Sequence, residues 1–154
     1  MNSRVRFETK NAGDTERAAE LFAREATREP ASAGALVVAL SGDLGGGKTT
    51  FARGFARGLG IRDAVTSPTF LIARIYPVSH KIFHRFVHVD AYRLGSADEI
   101  KTIGWKEWAR DPHTVILVEW ARNIERLLPK NHFDIHFEFI SDTKRAITIH
   151  AEGR

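Results

Sequence analysis

Five consecutive apolar residues, Leu36-Val-Val-Ala-Leu40, lead through Ser41 into Gly42-Asp-Leu-Gly-Gly-Gly47-Lys48-Thr49. A strand apolar at every position is buried on both faces, which calls for helices above and below it and argues against an open sheet with one wet side. The glycine-rich octad satisfies G-x-x-x-x-G-K-[ST] and is followed by Phe51, Phe55 and Leu59 at four-residue intervals, with Ala52 and Ala56 beside them, until Gly60. That is an amphipathic helix closed by glycine. Strand, glycine turn and helix in this order make a phosphate-binding loop, in which glycines admit positive φ and let backbone N–H groups approach phosphate oxygens. The start of the following helix adds its positive end. Nucleotide contacts are therefore assigned to Gly42, Asp43, Leu44, Gly45, Gly46, Gly47, Lys48, Thr49 and Thr50. Lys48 is expected to reach the β and γ phosphates, and the Thr49 hydroxyl to give one oxygen to Mg²⁺. Gly54 and Gly58 weaken the helix intrinsically and mark close approach of another backbone.

The rest of the chain supplies partners for this unit. Asp14 is expected to cap a helix through about Arg28, with Ala18, Leu21, Phe22 and Ala26 as its apolar stripe. Phe70 to Tyr76 and Phe86 to Asp90 read as strands joined by a basic, histidine-containing connection, and Ala97 to Arg110 as a helix with Ile100, Ile103 and Trp108 inward. Val115-Ile-Leu-Val118 is a second fully apolar strand, closed by Glu119, and Ala121 to Leu128 a short helix stopped by Pro129. Phe133, Ile135, Phe137 and Phe139 alternate with polar residues, as do Ile147 and Ile149 beyond the turn Ser141 to Lys144, giving a C-terminal β-hairpin. The expected fold is α/β, a three-layer phosphate-loop architecture with a central mainly parallel sheet and helices on both faces. With 154 residues and 43% hydrophobic composition, one domain over residues 1–154 is expected.

Composition narrows the function. There is no cysteine, so disulfide scaffolds and thiolate metal sites are ruled out. The first sixteen residues mix charges with few apolar side chains and do not resemble a signal peptide, and the longest apolar run is far too short to span a bilayer. A cytoplasmic protein without membrane contact is expected. Net charge is +4, modest for a protein that coats nucleic acid. Between Lys48 and Arg93, however, eight Lys or Arg residues face only Asp63 and Asp90. That stretch reads as a solvated face with phosphate counter-charge, or as a surface for RNA.

A phosphate-loop site needs a carboxylate at the end of a neighbouring strand to hold the metal or its water. Glu119 is the first choice, because an ionised carboxylate closing an apolar central strand needs a compensating cation or donor. Asp90, ending His88-Val-Asp90, is the second; its alternative role is to pair with Arg93 or cap a turn. His88 alone reads as structural. Thr66-Ser-Pro-Thr69 joins helix to strand and is either a loop that senses the γ-phosphate or a plain proline turn. Of Trp105, Trp108 and Trp120, only Trp120 has a chemically interesting neighbour, Glu119.

The phosphate loop, Thr66 to Thr69, His88-Val-Asp-Ala-Tyr-Arg93 and Val118-Glu-Trp120 stand in an order that resembles the TsaE (YjeE) family, the bacterial ATPases of tRNA N6-threonylcarbamoyladenosine (t6A) synthesis at position 37. The resemblance runs from about Leu36 to Pro129. It implies ATP at Gly42 to Thr50, Mg²⁺ at Thr49 and Glu119, Asp90 as a catalytic or metal-associated acid beside Lys48, Thr66 and Thr69 in a switch-like loop, and Trp120 near the nucleotide. It also implies hydrolysis of ATP to ADP and phosphate, slow alone and stimulated on the partner proteins TsaD and TsaB, with tRNA reached indirectly or through the basic 48–93 segment. The connection Pro77 to Arg85 is longer and more basic than the family pattern, and Ala91 stands where a bulkier apolar residue is usual.

Two other classes share these features. A small-molecule kinase would need an acceptor pocket and an arginine-bearing lid, for which Arg53, Arg57 and Arg122 are available. A nucleotide-binding adaptor would bind without useful turnover. A GTP switch is disfavoured because N-K-x-D does not occur and, outside the phosphate loop itself, no D-x-x-G follows a strand.

Overall fold

The computed structural model of the chain describes residues 3–31, 33–43, 45–63, 65–66, 68 and 72–151. Seven strands form one sheet in the order β1-β7-β6-β2-β5-β4-β3. They are β1 (Ser3–Thr9), β2 (Leu36–Gly42), β3 (Ala73–Pro77), β4 (Arg85–Asp90), β5 (Thr114–Glu119), β6 (Phe133–Phe139) and β7 (Arg145–Ala151). The central strands β6, β2, β5 and β4 run parallel, and β3, β7 and β1 pair antiparallel at the flanks. This is the mainly parallel α/β sheet that the two apolar strands require, since β2 and β5 are buried almost throughout.

Alternate residues of β2 serve opposite layers. Leu36, Val38 and Leu40 pack under α1 (Ala12–Ala26) and α2 (Lys48–Gly58) with Phe51, Phe55 and Ala23. Val37 and Ala39 face the other way, with Trp105, Trp108 and Ile124. That second layer consists of α3 (Asp98–Lys101), α4 (Trp105–Arg110) and a kinked 3₁₀ segment, Ala121–Leu127. Among the described residues, no helix is long and apolar enough to cross a membrane.

The close helix contact expected from Gly54 and Gly58 is present. A Cβ at Gly54 would lie 2.2 Å from the Glu16 carbonyl oxygen, and one at Gly58 would lie 2.5 Å from that of Glu20. The same contact reshapes α1. Its buried residues are Thr15, Ala19, Ala23 and Ala26, while Leu21 is exposed and Phe22 half-buried. Small residues occupy the face that meets the glycines, so the stripe is shifted from the bulky Ala18-Leu21 alignment.

Other elements also depart from expectation. Asn11, not Asp14, caps α1, its Oδ1 accepting from the Asp14 backbone N–H at 2.8 Å. Asp14 instead accepts from the Lys10 N–H at 3.1 Å. The helix expected over Ala97 to Arg110 breaks in two at Gly104, whose φ of 126° no L-residue adopts easily, and Ile103 is exposed as a result. Strand β1 was not expected. Of the strand expected from Phe70, residues 70 and 71 lie outside the described residues, and β3 begins at Ala73. The C-terminal hairpin forms as read, in register Phe137↔Ile147.

Candidate phosphate and metal site

The loop is built against β6 as much as against β2. The Asp43 N–H donates to the Phe137 carbonyl at 3.3 Å, and Asp43 Oδ2 accepts from the Phe139 N–H at 3.4 Å. Gly42, at φ 128°, leaves only 2.1 Å between an added Cβ and the Phe137 oxygen, so any side chain here would push β6 away. Gly47, at φ 100°, is the N-cap of α2 and offers no side-chain cap. The first N–H groups of α2 are thus left without an intrahelical or capping acceptor, the condition under which a helix start receives an anion. Leu44 lies outside the described residues.

Lys48 is 5% exposed, and its ammonium donates to the Gly42 and Asp43 carbonyls at 3.0 and 2.8 Å while lying 4.1 Å from the centre of the Trp120 ring. Burial lowers its pKa from the usual lysine range, and the negative charges of Glu119, Asp43 and Asp90 act in the opposite direction. The ammonium is therefore held by two carbonyl dipoles and a π face, partners that a phosphate could replace.

Three parallel strand ends meet beside it. Leu40, Glu119 and Asp90 lie side by side in the registers of β2, β5 and β4. Glu119 is 2% exposed and uses both oxygens: Oε1 accepts from the Thr49 hydroxyl at 2.9 Å, and Oε2 lies 2.6 Å from His88 Nε2. Thr49 and Glu119, paired from opposite ends of the sequence reading, are thus in direct contact. His88 is fully buried and its Nδ1 has no partner among the described residues. Asp90 is also buried and its Oδ1 accepts from the Tyr92 N–H at 3.0 Å, the turn-capping role weighed for it.

Trp120 follows Glu119 at φ 58°, in the left-handed region. Along an extended strand the two side chains would point to opposite faces; the left-handed turn instead brings the Trp120 ring to the Lys48 ammonium, on the side of Glu119. Gly45 to Thr50, Glu119, Trp120 and Arg145 line a cleft of about 230 Å³. Thr66 is exposed and is not among the residues lining this cleft. Thr69 lies outside the described residues.

Two residues of the site were not assigned to it from the sequence: His88 was read as structural, and Arg145 was not singled out. His88 could have been found from its place two residues before Asp90, on the same strand face. Arg145 had no local signal. It comes from β7, its Nε donating to the Gly45 carbonyl at 3.0 Å.

The donor set suits Mg²⁺. Among the described residues no cluster of three or more His, Cys, Asp or Glu forms a closed metal cage. A hydroxyl and a carboxylate already 2.9 Å apart provide the one or two protein oxygens that Mg²⁺ takes when phosphates and water complete its octahedron. Counter-charge also changes the basic segment. Arg53 and Arg57 both pair with Glu16, and Arg85 with Asp111 and Glu107, so acids distant in sequence neutralise part of the positive stretch.

Known proteins resemble this chain in sequence and in fold. Residues 9–147 match the family model for threonylcarbamoyl adenosine biosynthesis protein TsaE. The tRNA threonylcarbamoyladenosine biosynthesis protein TsaE of Bacillus subtilis is 39% identical over 149 residues, 97% of this chain and 87% of that one. Its counterpart in Haemophilus influenzae is 31% identical over 110 residues, 71% of this chain and 67% of that one. The crystal structure of Bacillus subtilis YdiB superposes with a TM-score of 0.77 at 33% identity, covering 99% of this chain and 88% of that one. With the family model spanning nearly the whole chain and relatives matching both its sequence and its sheet, the protein belongs to the TsaE family of tRNA threonylcarbamoyladenosine biosynthesis.

Proposed function

We propose that this family member serves t6A synthesis as a cytoplasmic Mg²⁺-dependent ATPase, hydrolysing ATP to ADP and phosphate on a complex with TsaD and TsaB. The observation that carries this reading is the contact between Thr49 and Glu119 at 2.9 Å, beside a buried lysine whose ammonium is turned onto the phosphate loop. The hydroxyl donates to a buried carboxylate at the start of the phosphate-loop helix, and the same two oxygens would be ligands to a cation bound between them. Thr49 and Glu119 would hold Mg²⁺, which would supply neutralisation of phosphate charge.

The remaining work falls to side chains of the chain itself. Lys48 exchanges its carbonyl partners for phosphate oxygens and offsets the charge that develops during transfer. His88 fixes the rotamer of Glu119 from behind, so that the carboxylate needs no reorganisation when the cation arrives. Asp90, next in register to Glu119, would accept a hydrogen bond from the water that attacks the γ-phosphate. Trp120 covers the ammonium and limits its exposure to solvent. Thr66, which does not line the cleft, acts in this reading only once it is brought to bound nucleotide, and Thr69 is assigned the same role. Such a requirement is consistent with slow turnover alone and stimulation on partners.

Glu119→Gln keeps size and hydrogen bonding while removing the charge. Hydrolysis should fall steeply and the Mg²⁺ concentration needed for half-maximal rate should rise about 10- to 100-fold, with Mg²⁺-independent ADP binding retained. Asp90→Asn is the comparison. If Asp90→Asn raises the Mg²⁺ requirement while Glu119→Gln leaves it unchanged, the metal belongs to β4 and not to β5. Phosphate release measured with and without TsaD and TsaB separates this reading from the adaptor, for which turnover stays negligible in both.

A further inference from the structure

On the face of the sheet turned away from α1 and α2, the second layer packs on β4, β5 and β2 and ends at its kinked 3₁₀ segment. Between that segment and β6 lies a cleft of about 290 Å³, at the low end of the roughly 300–1,000 Å³ of small-molecule pockets. Ser41 and Asp134 form its floor. They point away from α1 because their chain neighbours Leu40 and Ile135 point toward it. Ser41 directly precedes Gly42, and the opposite wall, Ala121 and Arg122, follows directly on Trp120. The cleft shares no lining residue with the phosphate cleft and yet lies behind the same two strand ends.

Arg122, Glu125 and Asp134 converge on this cleft, and among the described residues none of their side chains has a hydrogen-bond or ion-pair partner. Arg122 and Glu125 are three apart in a 3₁₀ segment, where such residues eclipse and opposite charges ordinarily meet. They stay apart because Ile124, at φ −128° and ψ 27°, breaks the helical path between them. Asp134 is half-buried, and a carboxylate partly removed from water without a donor is costly. Ser41 is 5% exposed, and its hydroxyl has one long partner, His136 Nδ1 at 3.4 Å. A guanidinium fork and a hydroxyl beside two carboxylates match a ligand that carries a carboxylate and an ammonium together. We propose that the cleft binds a free α-amino acid with a short side chain, its carboxylate on Arg122 and Ser41 and its ammonium on Asp134 and Glu125. The side chain rests on Ala121 and Leu128. His132 also lines the cleft and uses Nδ1 on the Pro129 carbonyl at 2.7 Å, which leaves Nε2 for a side-chain hydroxyl of the ligand. The modification made by the family's pathway contains a threonyl group, so L-threonine is the probe. Binding there requires neither ATP nor Mg²⁺, and the site stands apart from the ATPase reading.

The test is equilibrium binding to the full chain, followed by calorimetry and by NMR amide shifts. L-threonine is compared with N-acetyl-L-threonine, which lacks the ammonium, and with threoninol, which lacks the carboxylate. L-threonine should bind saturably with a Kd below about 5 mM, and each analogue should bind about fivefold more weakly or worse. The amides of Ser41, Ala121 and Arg122 should shift. Arg122→Gln should weaken L-threonine binding by about fivefold or more and remove its preference over threoninol. The double variant Glu125→Gln/Asp134→Asn should weaken it equally and remove the preference over N-acetyl-L-threonine. Urea midpoints show whether each variant is folded, and should one fail to fold, the analogue series on the parent protein decides by itself. Absence of saturable L-threonine binding in that range, a smaller loss for either analogue or either folded variant, or shifts that omit Ser41, Ala121 and Arg122 overturns the site. None of these outcomes touches the metal test on Glu119→Gln, so the amino-acid site and the ATPase reading can fail separately.

Discussion

Gly54→Ala inverts the usual effect of removing a helical glycine. In an unobstructed helix the change would stabilise by about 1 kcal/mol. Here the new Cβ would stand 2.2 Å from the Glu16 carbonyl oxygen and 2.7 Å from its Cα. Restoring ordinary contact requires α1 and α2 to separate by roughly 1.2 Å. Neither partner is a flexible side-chain tip that can swing aside; both are helix backbone. The separation also loosens Phe22, whose ring lies 6.1 and 6.0 Å from those of Phe51 and Phe55. Overpacking of this kind costs about 1–3 kcal/mol, and rigid backbone on both sides puts it toward the upper figure. Net of the propensity gain, destabilisation should be roughly 1–2 kcal/mol, lowering Tm by roughly 3–8 °C for a chain of this size. Urea denaturation should show a reduced midpoint with an unchanged slope. Gly58→Ala should act in the same direction, its Cβ meeting the Glu20 oxygen at 2.5 Å. The double variant should cost less than the sum, because one separation of the helices relieves both clashes. A Gly54→Ala protein as stable as the parent, or more so, would refute the claim that these glycines set the helix spacing.

Three further outcomes are expected. Lys48→Ala should leave the fold intact and reduce ATP hydrolysis by about 10²- to 10³-fold; an unchanged rate in a folded protein would remove the phosphate-loop assignment. Thr66→Ala and Thr69→Ala should lower ATP turnover more than ADP affinity, whereas equal loss for both nucleotides would make the segment a structural turn. The buried Lys48 ammonium gives a pH signature in the nucleotide-free protein. Its folded pKa is lowered, so between that value and the unfolded lysine range the unfolded chain binds more protons, and stability rises with pH across that window. Below it the burial cost is present in full. Lys48→Met should flatten this rise in a series of urea midpoints from neutral to alkaline pH; an identical slope would mean that the ammonium is not held in a desolvated site.

The parts of the site that were legible in the sequence are those carried by contiguous patterns. Leu36 to Leu40 and Val115 to Val118 could only be buried strands, and a glycine loop with Lys48-Thr49 between strand and helix has a single chemical reading. Glu119 could be placed beside Thr49 because a carboxylate ending an apolar strand needs compensation. Gly54 and Gly58 were legible for a related reason, being locally unfavourable without a tertiary purpose. What was missed depends on contacts between distant segments. Arg145 stands 100 residues from the Gly45 carbonyl it holds, and nothing beside it in the sequence announces a cleft. Strand β1 carries Arg4 and Arg6 around an exposed Val5, too weak an alternation to register without its partner β7. The Gly104 break was hidden because Ile100 and Trp108 keep a helical spacing across it. The positive potential inferred for the 48–93 segment counted local charges only, and Glu16 on α1 lies outside that window.

The register that joins β1 to β7 pairs Ser3 with Ala151. Among the described strands, the first in chain order therefore pairs only with the last. Until β7 is synthesised and paired with β6, β1 has no template, while α1, α2 and the parallel strands β2, β4 and β5 are already available for packing. Long-range closures of this kind are slow relative to local helix formation, and the order imposed is a directional one, with the cleft at the glycine loop completed from its hairpin side. Since Arg145 opens β7, the phosphate loop acquires its clamp only at that final stage. A nascent chain halted before residue 145 would display the glycine motif in full and still lack the arginine that walls its cleft.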